Sequence, residues 1–221
     1  MHLISTEWRR IFQLVLIMAV VAMSVGGLSL YVLYETAFNE AKSRLTETAQ
    51  SRARLMESVA RFNEVHNKNY AQGSFHATLF QIRQAHDKFE GFGKTGEFTM
   101  AKLQDNKIVF VLSHRHNKTD KPKPVPFKND EEYGHLAEPM RQALLGHSGT
   151  IVGNDYRAVV VLAAYEPVEV LNLGVVAKID LAEIRQPFIE AGLILFVISA
   201  VVIGKGDLNV TRMLIPELRG E

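Results

Sequence analysis

The feature of this sequence that most constrains its fold is an uncharged apolar run near the N-terminus. Ile11–Tyr34, IFQLVLIMAVVAMSVGGLSLYVLY, contains no charged residue. As a helix it would be about 36 Å long, more than the roughly 30 Å hydrocarbon core of a bilayer. The run passes directly into ETAFNEAKSRL without a small-residue cleavage site. We therefore expect an uncleaved membrane anchor rather than a signal peptide.

A second apolar run, Ala191–Gly204 (AGLILFVISAVVIG), lies near the other end of the chain. Alone it would form a helix of about 21 Å, a length that is borderline between a buried helix and a membrane span. Extended back to Phe188 it includes Glu190, which can lie at a membrane interface. We expect a second span, and a core or interfacial helix is the alternative.

Charges flanking the two runs predict their orientation. Arg9 and Arg10 precede the first run, and Lys205 and Arg212 follow the second. Because positive residues concentrate on the cytoplasmic side, both ends of the chain should be cytoplasmic and the middle should lie outside the cytoplasm. The predicted organisation is a cytoplasmic N-terminus (1–10), a first transmembrane helix (11–34), an extracytoplasmic domain (35–186), a second transmembrane helix (187–204) and a cytoplasmic tail (205–221).

Composition excludes several classes of function. The net charge of the 221 residues is only +1, so no basic excess predicts a nucleic-acid partner. Cysteine is absent, which rules out disulfides, thiol catalysis and cysteine-based zinc sites. Hydrophobic residues make up 47% of the chain, enough for one folded domain with a core of its own.

The segment after the first apolar run predicts a long helix that continues the span. From Glu35 to about Asn63 there is no Gly or Pro, and apolar residues recur with alternating spacings of three and four. The members of this stripe, which Arg52 interrupts, are Phe38, Ala41, Leu45, Thr48, Leu55, Val59 and Phe62. The stripe can pack on the sheet of its own domain or against a second copy of the chain in a homodimer.

The remaining segments predict an α+β domain with an antiparallel sheet. Thr78–Lys88 is typical of a helix, and the strands EFTMAKL and IVFVLSHRH flank a tight turn at QDNK. His135–Leu145 predicts a short helix, and two strands in GTIVGNDYRAVVVLAAYEPV precede a last strand, LGVVAKID. Helices should cover this sheet.

Taken in order, these segments resemble a known family. A span, a long helix, the hairpin from GFGKTGEF to IVFVLSHR, EPMRQALLGHSGTIVGNDYR, VLAAYEPV, LGVVAKIDLAEI and a second span are similar to the single-Cache (PAS-like) sensor domains of bacterial membrane receptors. The resemblance covers residues 5 to 204. It implies an antiparallel PAS-like sheet, a small-molecule ligand bound between sheet and loop, and signalling through the flanking helices. It also implies a bacterial inner (cell) membrane, a periplasmic or extracellular central domain, and a cytoplasmic output domain or a separate output protein.

Polar residues end the strand that begins at Ile108. Both faces of IVFVL are apolar, and the strand then reaches His114, Arg115 and His116. The planar guanidinium of Arg115 suits a carboxylate or phosphate ligand, or an ion pair with Asp155. His114 is a further candidate ligand contact. The two histidines have no third metal ligand spaced with them, so we predict no metal site.

A second polar group follows along the sheet. Asp155, Tyr156 and Arg157 begin one strand and Tyr165 ends it, an arrangement that the resemblance associates with pockets for small acids, amino acids or amines. Ordinary hairpin chemistry is the alternative. Lys178 and Asp180 share one face of the last strand and need partners there, although Asp180 can also cap the helix that follows.

We therefore expect these residues to bind a small anionic or zwitterionic ligand. No phosphate-binding glycine loop or nucleophile elbow is found in the sequence, so we expect no catalysis and no cofactor. The main expectation is the ligand-sensing module of a membrane receptor used in two-component or related signal transduction. A membrane-anchored adaptor that binds a protein partner, and a hydrolase using His114 and His116, are the alternatives.

Overall fold

The computed structural model describes residues 2–66, 73–86, 91–112, 123–127 and 135–214. Within these ranges the chain forms four α-helices and six β-strands, which confirms the α+β class and the long N-terminal helix. The helices are α1 (His2–His66), α2 (Gly73–His86), α3 (Glu138–Leu144) and α4 (Leu181–Leu214). The strands are β1 (Glu97–Gln104), β2 (Lys107–Leu112), β3 (Val125–Pro126), β4 (Gly149–Asn154), β5 (Val160–Val168) and β6 (Leu173–Asp180).

The strands form one antiparallel sheet in the order β3-β2-β1-β6-β5-β4. The predicted hairpin of β1 and β2 is confirmed, and Asp105 and Asn106 both have positive φ in its two-residue turn. The first and last of the long strands, β1 and β6, lie side by side in the centre. The centre of the sheet is therefore formed by β1, which follows α2, and β6, which precedes α4.

Helix α3 covers one face of the sheet. Its Met140 packs with Phe110, Val161 and Val176 in the main hydrophobic core. The helix approaches β6 at Gly174, where an added Cβ would lie 2.9 Å from the Cβ of Ala143. A larger residue at position 174 would therefore force α3 away from the sheet.

Helices α1 and α2 cover the opposite face. Alternate residues of a strand point to opposite sides, so Phe98 and Met100 of β1 face away from α3. Phe98 shares a cavity wall with Met56 of α1 and Ile82 of α2. The buried amide of Asn63 donates to Thr78 Oγ1 (3.0 Å) and to Gln81 Oε1 (2.9 Å), which fixes α1 to α2.

The buried face of α1 coincides only in part with the predicted apolar stripe. The buried positions of this part of α1 are Ala41, Leu45, Ala49, Ala53, Met56, Ala60 and Asn63, which follow the 3.6-residue period of a helix. A strict seven-residue pattern drifts about 20° per heptad around such a helix. The predicted stripe is therefore buried at Leu45 but leaves Leu55 and Phe62 55% and 57% exposed.

The chain divides into two compact units. A sheet unit comprises Phe38–Ile184, and a two-helix unit comprises the residues up to Ala37 together with those from Arg185 onward. In the two-helix unit, α1 and α4 pack antiparallel, because Gly26 lies beside Leu195 and Gly192 beside Leu30. The ring of Tyr34 meets that of Phe188 edge to face, with 5.6 Å between centroids.

Two helical segments have the length and composition needed to cross a membrane, and they lie in Gln13–His66 and Leu181–Gly204. Their large apolar side chains point mostly outward, as at Leu28 and Phe196. The hydroxyls of Ser24 and Ser199 donate to backbone carbonyls four residues earlier, at 2.8 and 2.9 Å. Such bonds satisfy a serine hydroxyl in apolar surroundings.

Candidate functional site

A cluster of charged side chains lies where β1 begins and β6 ends. The strand register places Lys178 of β6 between Glu97 of β1 and Ala163 of β5. The loop from β4 to β5 carries Asp155 and Arg157 to the same end of the sheet. We call Glu97, Asp155, Arg157, Lys178 and Asp180 the charge cluster.

Asp155 organises the loop that joins β4 to β5. Its carboxylate accepts the backbone N–H groups of Arg157 (2.7 Å) and Val159 (3.2 Å), and its own N–H donates to the Val159 carbonyl at 2.9 Å. Ala158 takes a left-handed conformation, with φ of 62°, to close the turn. The loop thus holds Asp155 in a fixed position inside the domain, where it is buried.

Charges of opposite sign alternate through the cluster. Lys178 Nζ lies 2.9 Å from Glu97 Oε2 and also pairs with Asp155. Arg157 donates from Nε to Asp155 Oδ2 (2.7 Å) and from Nη2 to Asp180 Oδ1 (2.6 Å). Each of these two cations therefore joins two carboxylates, and the five side chains form one continuous chain of ion pairs.

Tyr156 closes the cluster on its apolar side. Its hydroxyl donates to the Glu97 carboxylate, 3.2 Å from both oxygens. Its ring centroid lies 4.2 Å from Lys178 Nζ, a cation–π contact, and 5.0 Å from the ring of Phe110. Tyr156 thus separates the charges from the hydrophobic core beneath α3.

Electrostatics favour the ionised form of Asp155. Burial is the largest single effect and raises the pKa of its carboxyl, but the charge of Lys178 and the hydrogen bonds from Lys178 and Arg157 together outweigh it. The pKa of Asp155 is therefore lower than its ordinary value. Burial is the largest single effect on the Arg157 guanidinium and lowers its pKa, but the hydrogen bonds and charges of Asp155 and Asp180 together outweigh burial. The pKa of Arg157 is therefore higher than its ordinary value, and the group stays charged.

The structure brings together five of the predicted site residues: Asp155, Tyr156, Arg157, Lys178 and Asp180. The prediction that residues 155–157 begin a strand and Tyr165 ends it is wrong, because β5 begins only at Val160 and continues to Val168. Tyr165 lies within β5, opposite Val176, and its hydroxyl reaches towards Gly149 rather than into the charge cluster. His114 and Arg115 lie outside the described residues. Asp180 is the last residue of β6, and its carboxylate is paired with Arg157.

Glu97 is a member of the charge cluster that is not among the predicted site residues, although it is as buried as Lys178 and pairs with it. A signal was present, since Glu97 is a charged residue directly before the uncharged run 98–101. Lys178, on another apolar strand, was expected to need a partner. Only the register of β1 against β6 identifies Glu97 as that partner.

A second set of contacts fastens the start of α4. The Glu183 carboxylate accepts the backbone N–H groups of Lys94 and Thr95, both at 2.7 Å, and the Thr95 hydroxyl at 2.5 Å. The Thr95 hydroxyl in turn accepts the backbone N–H of Asp180 at 3.0 Å. The segment Gly91–Gly96, which we call the glycine loop, therefore touches both the end of β6 and the first turn of α4.

The charge cluster contains two cations and three carboxylates that are paired with one another. Among the described residues, no group of three or more His, Cys, Asp or Glu side chains is arranged to hold a metal ion. Each cluster carboxylate faces a cation instead. Comparisons of the chain with models of protein families, with curated proteins and with solved structures find no match.

Proposed function

We propose that this chain is the ligand-sensing module of a bacterial inner-membrane receptor. In this proposal the sheet unit is a single-Cache (PAS-like) domain outside the cytoplasm, and the two apolar helices cross the membrane. One observation carries the proposal: β6 ends at Asp180 and α4 begins at Leu181, so a central strand bearing two cluster charges runs into an apolar helix without a linker. A change at the cluster acts directly on that helix.

The charge cluster supports a ligand that carries a carboxylate. Arg157 and Lys178 already hold protein carboxylates, so a small anionic ligand gains their donors by replacing one of them. Asp180 is the most accessible of the three carboxylates, with 17% of its side chain exposed. The ammonium group of a zwitterionic ligand would then pair with the displaced Asp180 carboxylate.

Such an exchange links binding to a change of conformation. A ligand shifts an equilibrium only through different affinities for two states, and here the two states are Asp180 paired with Arg157 and Asp180 released. Because Asp180 immediately precedes α4, its release alters the support of that helix. In a complete receptor the helix would pass this change to a cytoplasmic output domain or to a separate output protein.

A thermal-shift screen tests this function. The full chain in lipid nanodiscs is heated with small carboxylates, amino acids and amines, one compound at a time. A compound present at 100 times its Kd stabilises the folded state by about 2.7 kcal/mol, which raises the Tm by several degrees. We expect carboxylates or amino acids to do so, and Arg157→Gln to abolish the shift.

Two results would contradict the proposal. One is a screen in which no carboxylate or amino acid raises the Tm of the unaltered chain. The other is a compound that stabilises the Arg157→Gln variant as well as the parent, since it must bind away from the cluster. Lys107→Gln is the matched control, because Lys107 is exposed on β2.

A homodimer is part of the proposed receptor. Leu55, Val59 and Phe62 repeat along one side of α1, and Leu55 and Phe62 remain more than half exposed in the single chain. Their spacings of four and three match the heptad pattern of paired helices. A second copy of α1, placed in parallel by a shared membrane, presents the same stripe and would cover it.

The adaptor function is a second candidate. Phe80 of α2 is 58% exposed and lies on a different helix from the α1 stripe. An exposed aromatic side chain of this kind can anchor a protein partner. An extracytoplasmic protein whose capture is lost in Phe80→Ser, together with a negative ligand screen, would favour the adaptor over the sensor.

A further inference from the structure

The carboxylate of Glu183 is held at a defined position by several groups of the glycine loop. Three donors converge on it, the N–H groups of Lys94 and Thr95 and the hydroxyl of Thr95. Gly93 adopts a left-handed φ of +61°, and an added Cβ there would lie 2.5 Å from Glu183 Oε1. The loop therefore needs glycine at this position to receive the carboxylate.

Thr95 joins this contact to the charge cluster. Its hydroxyl donates to Glu183 and at the same time accepts the backbone N–H of Asp180. The Asp180 carboxylate is bound by Arg157, which also binds Asp155. One hydroxyl therefore bridges the last residue of β6 and the third residue of α4. Asp180 joins this bridge to the charge cluster, because its backbone bonds Thr95 and its side chain bonds Arg157.

The first turn of α4 is held by contacts from outside the helix. Pro187 lies inside α4 and has no backbone N–H, so it cannot donate to the carbonyl of Glu183. This one hydrogen bond of the helix ladder is therefore missing. The turn itself is anchored by the buried side chains of Leu181 and Ile184 and by the glycine loop.

We infer that the glycine loop is a latch that couples the charge cluster to the first turn of α4, with Thr95 as the residue that joins them. While Arg157 holds Asp180, the Asp180 N–H and the Thr95 hydroxyl stay aligned and Glu183 remains bound. When Asp180 leaves Arg157, the end of β6 shifts and the latch on Glu183 loosens. The use of this latch in signalling rests on the proposed function, but its existence does not.

A double-mutant cycle measured by hydrogen exchange tests the latch without any ligand. The full chain in nanodiscs is compared with Arg157→Gln, Thr95→Val and the double variant, and amide exchange is followed in residues 181–186. Arg157→Gln should speed exchange there about tenfold when Thr95 is present and leave it nearly unchanged in the Thr95→Val background. Residues 138–144 of α3 serve as the internal reference for global stability.

Thr95→Ser is the matched control, because it keeps the hydroxyl and should restore the response to Arg157→Gln. If Thr95→Val speeds exchange across the whole sheet, Glu183→Gln takes its place in the cycle, since it weakens the same contact from the helix side. The latch is refuted if the two substitutions act independently, or if Arg157→Gln changes residues 138–144 as much as 181–186. A failed ligand screen leaves this result unaffected, so the two proposals fail separately.

Discussion

Removing the ammonium group of Lys178 should destabilise the sheet unit strongly. Its side chain is only 2% exposed, and it pairs with the buried carboxylates of Glu97 and Asp155. In Lys178→Met both carboxylates lose this cation while remaining inside the domain. Breaking one side of a buried ion pair costs about 3–5 kcal/mol, a large part of the roughly 5–15 kcal/mol that stabilises a typical domain.

The assay is thermal unfolding of the full chain in nanodiscs, followed by circular dichroism. For a domain of this size each kcal/mol changes the Tm by about 2–4 °C, so Lys178→Met should unfold roughly 6–20 °C lower than the parent. Lys107→Met, which removes an exposed lysine from β2, should change the free energy of unfolding by less than about 0.5 kcal/mol.

A further substitution makes this prediction sharper. Of the two carboxylates that lose Lys178, Asp155 keeps Arg157 as a partner. Adding Glu97→Gln to Lys178→Met neutralises the other carboxylate, so the double variant should be more stable than Lys178→Met alone. If Lys178→Met unfolds within about 1 kcal/mol of the parent, or if Glu97→Gln worsens it further, the charge cluster is not a buried and ionised network. The reasoning on ligand exchange would then lose its basis.

Three other predictions concern acid stability, helix packing and dimerisation. Folding lowers the pKa of Asp155, so the ionised carboxylate contributes to the free energy of unfolding above about pH 4, and this contribution is lost as the pH falls through the pKa of the folded state. Asp155→Asn should therefore make the free energy of unfolding less dependent on pH in this acidic range. Gly26→Leu should lower the Tm, since overpacking costs about 1–3 kcal/mol, whereas Gly27→Leu, with open space around it, should not. In this cysteine-free chain, Leu55→Cys should form interchain disulfides several-fold faster than Arg54→Cys, and equal rates would argue against a defined α1 seam.

Most of the fold follows from local patterns. The runs of β-forming residues, the Asp105–Asn106 turn and the helix around Met140 are all encoded within short windows of sequence, and the structure contains each of them. The α1 stripe could be predicted as apolar, but its buried face could not. That face depends on how far a helix of this length drifts from a seven-residue pattern.

The candidate site was predictable only in part. Tyr156 and Arg157 adjoin Asp155 in sequence, and Lys178 and Asp180 alternate on one strand, so each group could be found locally. That the two groups meet, and that Glu97 completes them, depends on the pairing of β5 with β6 and of β6 with β1. Glu183 and Thr95 are further apart still, at 88 residues, and no periodic pattern connects them.

A sensor of external ligands must lie outside the cytoplasm, so the decisive measurement is on which side of the membrane the sheet unit lies. Fusions of a reporter that is active only in the cytoplasm are made after Gly146, in the exposed turn that follows α3, and after Lys205, beyond the second apolar run. We predict an active reporter at Lys205 and an inactive one at Gly146. Activity at Gly146 would place the charge cluster in the cytoplasm and contradict the proposed function.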